Sequence, residues 1–420
     1  MMSDYIRSDG RRRVVVTGGG ILSSLGDDWE ESYKHLKSLK NCVKYMSEWD
    51  VFTKMNTRLA CPYTKELPKY PRKKVRGMGR VALLSLTATE KALAMAGLKK
   101  EDGEVVEELH NGRTGIAYGS CMGSMESIVD MYAMIENHDT SKIDSQTYIK
   151  SMPQTCAANL SVFYQLRGRI ITTNTACTSG SQSIGYAYES IASGRQDIML
   201  AGGAEELVSP DAAVFDAMGA TAIFNNAPES EPKPFDKNRD GLVLGEGAGT
   251  LVLEDMEHAV KRGATIYAEV LGFGTNADGT HITSPNSETM AVCLELAIAD
   301  AGIDPRQIAY VNAHGTATHA GDSAESNATY KVFGRAVPIS STKSYIGHTL
   351  GACGCIEAWL SINMMREGWF HPTLNLSEVD ESCAPLDYIT GEGRNIHVDY
   401  IMSNNFAFGG VNTSLIFGRV

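Results

Sequence analysis

Apolar residues follow two rhythms along this chain. Short unbroken runs flanked by glycine or polar residues have the length of buried strands, as in Arg13-Val14-Val15-Val16-Thr17-Gly18 and Asp197-Ile198-Met199-Leu200-Ala201-Gly202-Gly203. Similar runs predict strands over 113–119, 169–175, 250–254, 268–274, 308–312, 337–341, 400–406 and 413–417. Between them, apolar residues recur at helical spacing. The pattern predicts helices over 28–39, 79–96, 153–166, 288–301, 324–333 and 353–365, with Gly97 stopping the second. The segments 41–70 and 204–249 read as largely irregular. The run Ala268-Glu269-Val270-Leu271-Gly272-Phe273-Gly274 echoes the first strand with its glycine end. Two successive βα arrays predict a duplicated α/β protein, with halves over 11–260 and 261–420.

One stretch carries the sharpest chemical signal. Ile170-Ile171-Thr172-Thr173-Asn174-Thr175 is a strand pattern that meets Ala176-Cys177-Thr178-Ser179-Gly180-Ser181 and then a helix. That helix carries Ile184, Tyr188 and Ile191 on one face and stops at Gly194. Cys177 falls on the elbow, where unpaired N–H groups and the positive end of the helix dipole favour a thiolate. A lowered thiol pKa and a nucleophilic role are therefore expected. A buried cysteine packing as a small hydrophobe is the competing reading.

Composition narrows the class. The chain has 420 residues and 41 glycines, enough for two joined units and for backbone packed close to backbone. A net charge of −12 argues against a general nucleic-acid surface. No apolar run approaches the ~18 residues of a membrane span. Residues 1–13 are polar and basic without an apolar signal core, and the nine cysteines are scattered, so reduced thiols in the cytoplasm are expected. Gly18-Gly19-Gly20 lacks the spacing of a dinucleotide loop. Nothing near Cys353 and Cys355 completes a metal set.

Three further strand ends carry polar residues: Asn312-Ala313-His314-Gly315-Thr316-Ala317-Thr318, Ser341-Thr342-Lys343-Ser344-Tyr345-Ile346-Gly347-His348, and Asn404-Asn405-Phe406-Ala407-Phe408-Gly409-Gly410-Val411-Asn412. Two histidines flanked by glycine at strand ends favour chemistry over structure. A metal site is the rival use, weakened by the lack of a third ligand in the spacing.

In this order, T-A-C-T-S-G, N-A-H-G-T-x-T, S-S-T-K-S-x-x-G-H-x-L-G-A and N-x-F-x-F-G-G-x-N make the chain resemble the elongating β-ketoacyl-ACP synthases, from Val14 to Phe417. Ser344-Tyr345, Cys353-Gly354-Cys355, Glu357-Ala358-Trp359 and residues 403–408 are most similar to ketosynthases of aryl polyene pigment clusters. The resemblance implies a thiolase-like fold, a five-layer αβαβα sandwich of two duplicated halves. It implies decarboxylative condensation of malonyl-ACP with an acyl group, aryl or polyene, held on Cys177. His314 and His348 match the thioester-oxygen donors, Lys343 and Glu357 a charged pair beside them, and the N–H groups of Cys177 and Phe408 the oxyanion hole. Thr316 and Thr318 match pantetheine contacts, and Met122 the floor of the acyl pocket or the subunit interface. Lys73 and Arg76, in the basic cluster 71–76, match positions that dock acyl carrier protein. No cofactor is implied beyond the phosphopantetheine that arrives on the carrier protein, and no metal. A homodimer is expected, or a heterodimer with a related subunit.

Ala407, His319 and Ile346 depart from the usual glycine, proline and threonine. The first is expected to stiffen the gating loop. The rivals are general fatty-acid elongation, a degradative thiolase, a chain-initiating synthase and a non-catalytic chain-length factor. A thiolase would need a second cysteine near 404–412, where there is none, and an initiating synthase an asparagine at 348. A chain-length factor would have lost Cys177.

Overall fold

The computed structural model describes residues 4–100 and 102–420; residues 1–3 of the polar start lie outside it. The N-terminal half runs β1 (Val14–Leu22), α1 (Trp29–Lys37), α2 (Arg72–Val75), α3 (Arg80–Met95), β2 (Thr114–Gly119), α4 (Met125–Asn137), α5 (Thr155–Phe163), β3 (Ile170–Thr172), α6 (Ser179–Ala192), β4 (Ile198–Glu205) and β5 (Gly247–Asp255). The C-terminal half runs β6 (Ala268–Ala277), α7 (Ser287–Ala301), β7 (Ile308–Asn312), α8 (His319–Phe333), β8 (Pro338–Ser340), α9 (Cys353–Glu367), β9 (Asp387–Tyr388), β10 (Tyr400–Ala407) and β11 (Val411–Gly418). Shorter turns and strands link them.

These strands form one sheet in the order β9-β8-β7-β10-β11-β6-β1-β5-β4-β2-β3. The two halves mirror one another outward from the β6–β1 junction. In the first, β3, β2 and β4 are parallel and β5 and β1 antiparallel. In the second, β8, β7 and β10 are parallel and β11 and β6 antiparallel. The helices follow the same plan, with α3, α5 and α6 answered by α7, α8 and α9. The echo in the sequence thus reports a duplicated unit. The halves are not separate sheets, because β1 pairs with β6 through Val14–Val270, Val15–Glu269 and Val16–Ala268.

Three cores fill the layers. Leu84 and Leu93 of α3 and Leu160 of α5 cover Ile116, Leu200 and Val252 on the outer face of the first half. Met290 and Leu294 of α7 and Phe333 of α8 cover Ile308, Val311 and Met402 on the outer face of the second. Ile184, Tyr188 and Ile191 of α6 join Ile356 and Trp359 of α9 between the halves, against Met199 and Leu251 on one side and Phe273 and Leu415 on the other. The apolar face read from 184, 188 and 191 therefore points into the molecule's centre, and the layers are α-β-α-β-α.

β1 extends past Gly18, where the sequence pattern ended it. A Cβ at Gly18 would lie 2.5 Å from the Ala92 carbonyl oxygen, and one at Gly20 2.1 Å from that of Ala88. The glycines thus let α3 lie directly on the strand. Gly272 and Gly274 do the same for α7, with 2.3 Å to the Ala297 oxygen and 2.2 Å to that of Cys293. Conversely, the strand read over 169–175 stops at Thr172. Beyond it the chain bonds to the following helix: Thr173 Oγ1 lies 2.6 Å from Ser183 Oγ, and the Thr175 N–H donates to Ser179 Oγ at 3.0 Å. Helix α4 and a helix at Ser209–Ala217, in the segment read as irregular, have no counterpart in the sequence reading.

Candidate active site

Cys177 lies in a single 3-10 turn, Ala176–Thr178, between β3 and α6. Ala176 enters that turn with φ at 51°, a left-handed conformation that costs a non-glycine residue energy and bends the chain sharply. The elbow is held from inside: Ser179 Oγ donates to the Ala176 carbonyl at 2.7 Å, and Thr178 Oγ1 to the Thr175 carbonyl at 2.7 Å.

The C-terminal half closes over the sulfur. His348 Nε2 lies 2.9 Å from Cys177 Sγ. The rings of His314 and His348 meet edge to face, with centroids 5.1 Å apart. His348 is clamped by its backbone, its N–H donating to the Val243 carbonyl at 2.7 Å and its carbonyl accepting from the Gly245 N–H at 2.9 Å. His314 and Gly315 donate their N–H groups to the two oxygens of Glu325, at 2.8 and 2.7 Å. Lys343 and Glu357 form a buried ion pair behind the histidines.

The tautomers follow from the partners. The Leu350 N–H donates to Nδ1 of His348 at 3.3 Å, and the Asn405 amide nitrogen lies 3.4 Å from Nδ1 of His314. Each Nδ1 is an acceptor, so each Nε2 carries the proton. Burial drives both imidazoles well below their ordinary pKa, and the Lys343 charge adds to this. Both rings are therefore neutral N–H donors. Sγ and the two ring nitrogens lie within 4.8 Å of one another, a spacing that would suit a metal ion. Nitrogens that carry protons make poor metal ligands, so the donor set favours hydrogen bonding over coordination.

The expected lowering of the Cys177 pKa is not what the structure gives. Burial pushes the thiol up, to about 12. Lys343 and the N–H groups of Phe408 and Cys177 work against that rise without cancelling it. The local elbow argument omitted desolvation by the other half, which is the larger effect. Lys343 is itself pulled down by burial, but Glu357 more than restores its charge.

A cavity of about 520 Å³ opens from Cys177 to the surface, lined among others by His314, His348, Thr316, Thr318, Phe406 and Phe408. Thr316 and Thr318 present a hydroxyl pair 3.0 Å apart. Phe408 stacks on Phe215 with centroids 5.3 Å apart, a contact worth about 0.5–1.5 kcal/mol. Ala407 does not strain its loop. It is the last residue of β10, paired with Val411, and the positive φ values fall on Gly409 and Gly410, at 87° and 70°. His319 is exposed at the cavity mouth, whereas Ile346 is buried in the central core.

The structure thus brings together Cys177, His314, His348, Lys343, Glu357, Phe408, Thr316 and Thr318. It does not bring Met122 into this cavity; that residue is half-buried on the loop after β2, beside Cys121. Lys73 and Arg76 are exposed at α2. The sequence reading missed Glu325, Glu205 and the role of Asn405. Glu205 accepts the N–H groups of Cys121 at 2.8 Å and Gly351 at 3.1 Å, tying the halves together, and burial raises it to about 7. Asp322 and Glu325, three apart on the first turns of α8, held a legible signal: both face back to the loop that carries His314.

Comparison with known proteins agrees with this geometry. Residues 11–259 match the family model "Beta-ketoacyl synthase, N-terminal domain", and residues 267–377 match "Beta-ketoacyl synthase, C-terminal domain". The chain is similar to 3-oxoacyl-[acyl-carrier-protein] synthase 2 of Vibrio cholerae, 39% identical over 98% of this chain and 100% of that protein. Among solved structures it resembles a β-ketoacyl synthase from Burkholderia phymatum, 55% identical over 97% of this chain and 99% of that one, with a TM-score of 0.94. It also resembles the type II polyketide ketosynthase AntDE, solved with its acyl carrier protein AntF, at 29% identity over 98% of this chain and 100% of that one, TM-score 0.84.

Proposed function

The chain belongs to the β-ketoacyl synthase family and is a 3-oxoacyl-[acyl-carrier-protein] synthase; from that premise we propose how its residues divide the reaction. The thiol of Cys177 attacks the thioester of an acyl-ACP. Its proton passes on to the departing pantetheine sulfur, so the transfer is neutral overall. The tetrahedral oxyanion is held by the N–H groups of Cys177 and Phe408, the two that bear on the sulfur. Lys343 supplies the long-range positive charge that offsets the cost of burying a thiolate.

Malonyl-ACP then occupies the cavity with its pantetheine arm along Thr316 and Thr318. Loss of carbon dioxide leaves an enolate whose oxygen rests on Nε2–H of His314 and His348. Its carbon attacks the acyl carbonyl on Cys177, the thiolate leaves and takes a proton from water to restore the thiol, and 3-oxoacyl-ACP departs. No base is needed for the decarboxylation, only an electron sink, and two neutral donors supply it. The observation that carries this reading is His348 Nε2 at 2.9 Å from Cys177 Sγ, with a ring nitrogen of His314 inside the same 4.8 Å cluster. A malonyl-ACP decarboxylation assay with and without prior acylation of Cys177 tests it. An enzyme that condenses but never releases carbon dioxide would refute it.

We assign the substrate to the aryl or polyene acyl class rather than to general fatty-acid elongation. The residues shared with aryl polyene ketosynthases, Ser344-Tyr345 and Cys353-Gly354-Cys355, support this, and all five are buried. Competition among short, long and aryl acyl-ACPs, read by product mass, decides between them. The carrier protein docks on Lys73 and Arg76 and is the enzyme's partner. A second copy joins at the open sheet edge. There β3 exposes Ile170 at 52%, at an unpaired edge that a homodimer would cover; α4 separately exposes Val129, Tyr132 and Ile135 at 54%, 62% and 64%. The nine free thiols suit a reducing cytoplasm, and among the described residues no helix is long and apolar enough to cross a membrane.

A further inference from the structure

Asn405 lies in β10 with its side chain fully buried. Its amide nitrogen donates to Glu357 Oε2 at 2.8 Å, and lies 3.4 Å from His314 Nδ1 and 3.6 Å from Cys353 Sγ. A carboxylate beside Lys343 accepts only, so the end facing Glu357 is the nitrogen. That NH2 group has two hydrogens. One goes to Glu357, and the second is left for His314 and the Cys353 sulfur.

We propose that Asn405 is a positioning residue for the reaction: it fixes His314 as the Nε2–H tautomer and couples that ring to the Lys343–Glu357 pair. The proposal rests on His314 acting as a donor to the enolate oxygen. His348 obtains the same tautomer from a main-chain donor, the Leu350 N–H. His314 has only a side chain for this purpose among the contacts in the structure, and so its tautomer depends on one replaceable residue. The amide is also retained against a penalty. Its Oδ1 is buried with no hydrogen-bond partner, which is unfavourable. A smaller hydroxyl residue would avoid that penalty but would not reach Glu357 and His314 together. The coupling continues to the nucleophile, because the Cys353 thiol donates to the Cys177 carbonyl at 3.3 Å. Losing Asn405 would leave Nδ1 without its donor and let the proton move there, turning a lone pair instead of an N–H toward the substrate.

The test is Asn405→Leu, similar in size and without the N–H groups. Malonyl-ACP decarboxylation should fall about 10–100-fold, the usual cost of removing a group that orients a working histidine. Acylation of Cys177 by acyl-ACP should change less than about threefold. In protein labelled with 15N-histidine, Nδ1 of His314 should shift from the unprotonated toward the protonated range, while His348 keeps its pattern. If Asn405→Leu does not fold, judged by its thermal transition, Asn405→Ser carries the same measurements. Decarboxylation at the parent rate overturns the proposal, and so does a rate loss with the His314 tautomer unchanged. Failure of the parent enzyme itself to decarboxylate malonyl-ACP would instead strike the proposed division of the reaction, and the tautomer measurement would still stand.

Discussion

β2 and β7 occupy the same place in their two halves, and they end differently. β2 runs into Gly119-Ser120-Cys121, whereas β7 runs into Asn312-Ala313-His314. β3 leads to Cys177 and α6, whereas its counterpart β8 leads to Lys343, His348 and α9. β4 ends on Glu205, and β10 leads to Phe408. The frame is shared and the chemistry is not. The first half supplies one thiol on a tight elbow. The second supplies the donors, the charge and the gate. Cys177 is buried to 5% exposure partly by groups from the opposite half, and Lys343 and the Phe408 N–H that relieve that burial come from there as well. Neither half holds a competent nucleophile alone.

This division can be tested from the strongest effect downward. Cys177→Ala should remove condensation by more than about 10³-fold while malonyl-ACP still binds, since the second half is intact. Peptide mapping that found the acyl group on Cys121 or Cys156 would reverse the assignment. His314→Ala and His348→Ala should each cost about 10²–10³ in decarboxylation and spare acylation of Cys177. Lys343→Ala should follow them, because both the thiol and the ring pKa values respond to its charge. A variant that decarboxylates at the parent rate would make that residue structural.

The pH response sharpens the contrast between a thiol pushed up and imidazoles pushed down. With the Cys177 pKa near about 12, the thiolate fraction and the rate of iodoacetamide labelling should rise about tenfold per pH unit between ~7 and ~10. A plateau near neutral pH would show an activated thiolate instead. The histidines lie well below 6.5, so they stay neutral as pH falls through that value. Decarboxylation should therefore stay level from pH ~8 to ~6 and fall only at lower pH, where the rings finally gain a second proton. A midpoint at about 6.5 would contradict the burial argument.

Smaller effects lie away from the cleft. Reversing the charges of Lys73 and Arg76 should raise the apparent KM for ACP substrates and flatten its salt dependence, with small thioester mimics unaffected. Equal loss with both substrate types would mean misfolding. The resemblance places Met122 at the floor of an acyl pocket, and the cavity that opens from Cys177 does not contain it. Met122→Ala should then extend the longest chain accepted by a few carbons, at about 0.8 kcal/mol per methylene. An unchanged profile together with a weaker dimer on size-exclusion chromatography would place Met122 at the subunit interface only.

Much of this site is legible because it sits at strand ends, and strand ends are marked locally. A β-branched run followed by small residues located the Cys177 elbow, and glycine beside His314 and His348 marked two more. Gly18, Gly20, Gly272 and Gly274 were visible as an echo, although their reason, helices pressed onto strands, was not. Glu325 and Asn405 were harder. Asn405 touches His314 from 91 residues away, a contact that neither spacing nor periodicity reports. Glu325 bonds a loop 10 and 11 residues before it, and only its spacing from Asp322 marks that contact. Met122 was assigned by resemblance alone, and a loop residue's depth depends on what packs above it.

By itself the sequence determined the alternation of strands and helices, the repeated unit, and which side chains stand at the carboxyl ends of the strands. Those follow from local periodicity and from backbone sterics at glycine. Only the tertiary structure decided the sign of the Cys177 pKa shift, the tautomers of the two histidines, and the meeting of a thiol from one half with donors from the other. The tautomers depend on Leu350 and Asn405, which folding of the second half brings to the rings. The pKa shift and the meeting depend on desolvation and on groups supplied across the β1–β6 junction, which exist only once both halves have closed on the same space.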